Sequence, residues 1–123
     1  MSPRPDIAVT GLGLVGPHGQ EPGTAFDALL RGESAIRPVF PELARLALPA
    51  TAAFDPAPWF SKLQLAGVDR VSQLAVAAAE MALDDAGLQG AWAGNEAERV
   101  GVYVGCGMGG ARALEAAQRA RRR

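Results

Sequence analysis

The chain has 123 residues, 49% of them hydrophobic and 20% charged, which is enough for one modest core and excludes a disordered chain. Its 12 basic and 13 acidic residues include three arginines at 121–123; without these, 9 basic face 13 acidic residues, so no basic face for nucleic acid is expected. Eleven of the twelve cations are Arg, no run reaches the length of a membrane span, and the single Cys106 excludes an internal disulfide and a Cys-rich metal site.

The N-terminus, Met1-Ser2-Pro3-Arg4-Pro5-Asp6, lacks the basic-then-apolar pattern of a signal peptide, and the expected location is cytoplasmic. Asp6 to Thr10 is a β-branched and apolar segment between Pro5 and Gly11, which predicts a buried strand. A loop follows through Gly23, with Pro17, Gly19, Pro22 and Gly23 each placed to interrupt a helix. Thr24 and Asp27 resemble a capping box, Phe26, Leu29 and Leu30 share one face, and Gly32 stands where a C-terminal cap belongs. Thr24 to Arg31 is therefore expected to be a short amphipathic helix.

Residues 33–62 are rich in Pro and Ala without a sustained period and predict an irregular connection with at most one brief strand. Asp69 is placed to cap the next helix. There Val71, Leu74, Ala75, Ala78, Met81 and Ala82 form one stripe, while Val76, Ala79 and Leu83 make the opposite side apolar as well. Such a helix is expected to be buried and to end near Gly87. Arg99 to Val104, apolar at successive positions, predicts a second strand covered on both faces, and Ala111 to Arg119 a last helix. The order is that of an α/β architecture in one domain, but two strands do not complete a sheet.

Both predicted strands run into glycine-dense turns. Gly11-Leu12-Gly13-Leu14-Val15-Gly16 fits the dinucleotide fingerprint, yet Pro17-His18-Gly19 stands where a helix should begin so that its amide groups face a pyrophosphate. The alternatives at this turn are a nucleotide site and a structural strand-to-loop turn. In Gly105-Cys106-Gly107-Met108-Gly109-Gly110, Cys106 is either a small buried residue or a nucleophile. The nucleophile would need a base such as His18, the only histidine, for a small acyltransferase site. His18 is otherwise a solvated loop residue. Met108 is either a plug of the core or part of a pocket, and the arginines at 119 and 121–123 fit a solvated helix end.

Taken together, Val9 to Pro17, Leu30 to Ile36, Phe54-Asp55, Asp69 to Ala75, Asp85 to Leu88 and Arg99 to Gly110 closely resemble the N-terminal part of beta-ketoacyl-ACP synthases, in the family's order and over nearly the whole chain. The resemblance implies an incomplete N-terminal part of a thiolase-like layered α/β fold. It also implies the acyltransferase chemistry of fatty-acid or polyketide synthesis, in which an acyl chain held on cysteine is elongated by decarboxylative Claisen condensation with a malonyl thioester. Members of this family open with the same first glycine turn and bind no nucleotide there. Their nucleophilic cysteine, in an Ala-Cys-small-small motif, and their two histidines lie beyond the matched region. Cys106 and His18 match none of them.

No catalytic residue and no metal or cofactor site is therefore expected in residues 1–123, and the chain alone is expected to be inactive. The end at Arg123 is compatible with a natural terminus, a frameshift or a fragment. Met108 falls on the family position whose apolar side chain borders the acyl pocket, with Gly107 and Gly109 beside it. The implied partners are acyl carrier protein, through the full enzyme, and a second synthase subunit in a homodimer or heterodimer, with no nucleic acid and no membrane. A non-catalytic synthase-like subunit pairing with a full synthase is the alternative.

Overall fold

The structure, a computed structural model, describes residues 6–37, 50, 52–90 and 94–122. In chain order it contains α1 (Pro22–Leu30), α2 (Lys62–Leu65), α3 (Arg70–Asp85), a 3-10 helix (Gly94–Arg99) and α4 (Ala111–Arg121). The part of the irregular connection from 38 to 49, with Pro38, Pro41 and Pro49, lies outside the described residues, as do the extreme N-terminus and Arg123.

α3 is the hub. Asp69, extended at φ −69° and ψ 155°, caps it by accepting the Arg70 N–H at 2.7 Å. At the other end Gly87 adopts φ 67°, and its N–H reaches the Asp84 carbonyl at 2.9 Å while the Leu88 N–H reaches Leu83 at 2.8 Å. That is a Schellman ending, and the Leu88 and Leu83 positions are those that carry its usual apolar contact. Both boundaries agree with the sequence reading.

α1 ends in the same way. The Gly32 N–H bonds to Leu29 and the Glu33 N–H to Ala28, both at 3.0 Å. Its start differs from the expected capping box: the helix begins two residues earlier, with Pro22 in its first turn, and Glu21 is the cap. The Glu21 carboxylate accepts the Gly23 N–H at 2.8 Å and the Thr24 N–H. Pro22 is thus no breaker, because a first-turn proline loses no helical hydrogen bond and its fixed φ suits the helix. The Thr24 side-chain hydrogen bond, followed by the two backbone N–H groups, holds the Glu21 carboxyl below the usual carboxylate range.

The two expected strands are extended but carry no ladder, and among the described residues the one β-bridge joins Gly16 and Gly19. Arg99 belongs to the 3-10 helix. Both segments are exposed rather than buried, with Ile7 at 93% and Tyr103 at 96%. Among the described residues the buried apolar ones are Ala25, Ala28 and Ala77, and α3 is otherwise half-exposed, with Val76 at 39%. The expectation of a fully buried α3 thus does not hold in this chain. Its second apolar face has no cover among the described residues, and neither do the extended segments.

The first glycine turn makes a close crossing with α3. A Cβ built on Gly13 would strike the Ala78 carbonyl and lie 2.7 Å from the Ala82 nitrogen; one built on Gly11 would strike the Ala82 carbonyl and lie 2.7 Å from the Ala86 nitrogen. Alternate residues of an extended chain are about 6.6 Å apart. Residues four apart on a helix are separated by about 6 Å, so Gly11 and Gly13 match the row Ala86, Ala82, Ala78 and the segment runs antiparallel to the helix. Between them the Leu12 N–H donates to Asp85 Oδ2 at 2.8 Å. This is the structural alternative for the Gly-x-Gly motif: its missing side chains admit a helix backbone.

Candidate functional site

The second glycine turn meets the opposite end of α3. Gly109 lies against Val71, whose Cγ2 would be 3.3 Å from an added Cβ, and against the Cys106 sulfur. Gly110, at φ 81°, stands at the N-cap of α4 with no side-chain cap. Two cavities flank this contact. One, of about 370 Å³, is bordered by Val71, Leu74, Cys106, Met108 and Ala111, with Asp69 and Arg70 at its polar edge. The other, of about 540 Å³, is bordered by Val71, Ala75, Val76, Val104 and Cys106. Gly109 and Gly110 border both.

The candidate site residues divide accordingly. Met108 is 84% exposed and borders the smaller cavity, so in this chain it plugs no core. Gly109 borders both cavities, as Gly110, Val71 and Cys106 do, whereas Gly107 borders neither, and an added Cβ there would meet nothing within 4 Å. Cys106 is a free, exposed thiol, contrary to the buried small residue expected of it. His18 is half-buried and borders neither cavity; it adds a small Coulomb attraction on Glu33 in the loop after α1. Glu33 itself is held below the usual carboxylate range chiefly by its hydrogen bond from Arg31 at 2.6 Å, then by the charge of that arginine. The structure therefore does not bring Cys106 and His18 together as nucleophile and base.

Among the described residues no cluster of His, Cys, Asp or Glu could hold a metal ion, and no helix is long and apolar enough to cross a membrane. α4 ends in Arg119 and Arg121, with Arg119 paired to Glu115 on the solvent side. Sequence reading missed Arg70. This half-buried cation borders the smaller cavity and reaches back to Phe54 at 3.0 Å. The available signal was a cation in the first turn of a helix, where the helix dipole disfavours it.

Comparison with known proteins gives a consistent result. The family model of the beta-ketoacyl synthase N-terminal domain matches residues 4–123. The chain is 34% identical over 111 residues to 3-oxoacyl-(acyl-carrier-protein) synthase 2 of Coxiella burnetii, covering 85% of this chain and 26% of that protein. It is 32% identical to the protein of the same name from Vibrio harveyi, covering 89% of this chain and 27% of the relative. Against the Staphylococcus aureus N315 protein of that name it is 30% identical over 97% of this chain and 29% of the relative. The chain thus spans less than a third of the length of these relatives. No solved structure gives a significant match. With the family model matched from residue 4 onward, the chain belongs to the beta-ketoacyl synthase family and corresponds to its N-terminal domain.

Proposed function

We propose that this chain is the N-terminal part of a synthase that elongates acyl chains on acyl carrier protein by decarboxylative condensation with a malonyl thioester, in fatty-acid rather than polyketide synthesis. The observation that carries this reading is the match to 3-oxoacyl-(acyl-carrier-protein) synthase 2 proteins along almost the full chain. In this reading residues 1–123 supply scaffold, and Met108 with Gly107 and Gly109 forms one wall of the acyl pocket. Its support is the apolar cavity bordered by Val71, Leu74, Met108 and Gly109; Gly107 enters through the family resemblance alone. A nucleophilic cysteine activated at a helix N-terminus and two histidines would come from the remainder of the synthase, so the chain alone performs no condensation. The polypeptide works in the cytoplasm, with acyl carrier protein reaching it through the assembled enzyme.

The exposed segments at Ile7 and Val9 and at Val102 to Val104 favour a second polypeptide surface as cover, either the rest of a synthase or a full synthase subunit in a homodimer or heterodimer. The alternative role, a non-catalytic partner of a full synthase, rests on the same surface. A chimera joining this chain to the remainder of the Coxiella burnetii relative tests the pocket. Replacing Met108 by Ala and by Phe is expected to shift its preference toward longer and shorter acyl carrier-protein substrates respectively. An unchanged chain-length profile in an active chimera would remove Met108 from the pocket. Co-purification of the chain with an intact synthase, without gain in turnover, would favour the partner role.

A further inference from the structure

Arg70 has a structural role that does not rest on the catalytic reading. It occupies the first position of α3, directly after the Asp69 cap. A cation there faces the positive end of the helix dipole, and among the described residues no carboxylate lies within ion-pair distance of it. Its partners come from another part of the chain. Arg70 Nη2 donates to the Phe54 carbonyl at 3.0 Å, and the guanidinium carbon stands 4.8 Å from the centre of the Phe54 ring. Phe54 in turn packs on Trp59 at 5.3 Å between ring centres. On its own helix Arg70 Nη1 approaches Gln73 Oε1 at 3.5 Å, while Gln73 Nε2 donates to the Val68 carbonyl at 2.9 Å.

Residues 54–60 form a compact turn of their own. The Ala57 N–H bonds to Asp55 Oδ1 at 3.0 Å, and the Trp59 and Phe60 N–H groups bond to the Pro56 carbonyl at 3.0 and 3.1 Å. The same arginine, together with Asp69, borders both the cavity beside Met108 and a polar cavity of about 400 Å³ with Val68 and Gln73. We propose that Arg70 is a positioning residue, a latch that holds the 54–60 turn across the start of α3. A planar guanidinium suits this role because it stacks on the ring face and donates to the carbonyl at once, which a lysine ammonium cannot do with one compact charge.

The latch and the helix-dipole rule predict opposite signs for one substitution. Arg70→Glu places an acid where the dipole favours it, and Arg70→Met keeps the apolar stem without charge; both release the turn if the latch is real. Hydrogen exchange of the intact chain is followed at the Ala57, Trp59 and Phe60 amides, with the Gly32 and Glu33 amides at the end of α1 as the internal reference. Expected is an acceleration of about tenfold at 57–60 for either variant, against less than about twofold at 32–33, with Arg70→Lys recovering part of the protection. Unchanged exchange at 57–60 in either variant, or equal acceleration at both places in Arg70→Met, would overturn the latch. Should Arg70→Glu lose protection throughout, the same ratio is read in Arg70→Lys and Phe54→Leu. There a preferential effect at 57–60 supports the assignment and a uniform one refutes it.

Discussion

The two glycine turns read alike in sequence and behave differently on the same helix. The first places Gly11 and Gly13 so close to the row Ala78, Ala82, Ala86 that a single methyl group would overlap the helix carbonyls. Of the glycines in the second, Gly109 lies against Val71 and Gly110 near the Asp69 cap of α3, whereas Gly105 and Gly107 face open space, and cavities remain beside the contact. Glycine in the first turn is there to close a gap, and in the second it leaves one open. A strand-to-glycine pattern therefore marks where main chain is delivered, but the partner decides whether the result is close packing or open space.

The largest expected effect breaks the closed side. Gly13→Ala should cost about 3 kcal/mol or more, since the obstacle is helix backbone and cannot turn aside. Urea unfolding or exchange of the α3 amides measures this, with Gly107→Ala, within about 0.5 kcal/mol of the parent, as the open-side counterpart. Gly109→Ala should fall between them, at about 1 kcal/mol, because the Cys106 thiol and the Val71 methyl groups it meets are side-chain atoms that can shift. Combining it with Cys106→Ala should recover part of that loss in a double-mutant cycle.

Removing the carboxylate that ties the first turn to α3 sharpens the comparison at lower energy. Asp85→Ala should cost about 0.5–1.5 kcal/mol and speed exchange of the Leu12 amide, while Asp85→Asn, which keeps an acceptor oxygen, costs less. The smallest effect lies outside both turns. The Glu21 carboxyl is lowered in the folded chain, so its contribution is present above the usual carboxylate range and is lost as pH falls through the lowered value. Protection factors at Gly23 and Thr24, taken relative to the intrinsic rate at each pH, should then fall in acid, and Glu21→Gln should blunt that fall.

Local chemistry is what the sequence makes legible. Asp69 as a cap and Gly32 and Gly87 as helix stops act through neighbours a few residues away, and each stands where the pattern puts it. The start of α1 is harder to place because a glutamate cap followed by a first-turn proline resembles a loop. Burial is overestimated for the two extended segments and α3, since apolar runs report a preference for cover without supplying it. Long-range partners leave little signal: Leu12 and Asp85 are 73 positions apart, and nothing near either names the other. Family resemblance singles out Met108, which borders a cavity, whereas Arg70 becomes visible only once Phe54 is seen beside it.

The most direct test of the central claim is product formation by the purified chain given acyl and malonyl thioesters of acyl carrier protein. A chain that contributes scaffold and pocket wall, with the nucleophile and histidines supplied elsewhere, yields no 3-oxoacyl product and no carbon dioxide above a protein-free blank. Sustained turnover that disappears in Cys106→Ala would place the chemistry within these 123 residues and contradict the claim.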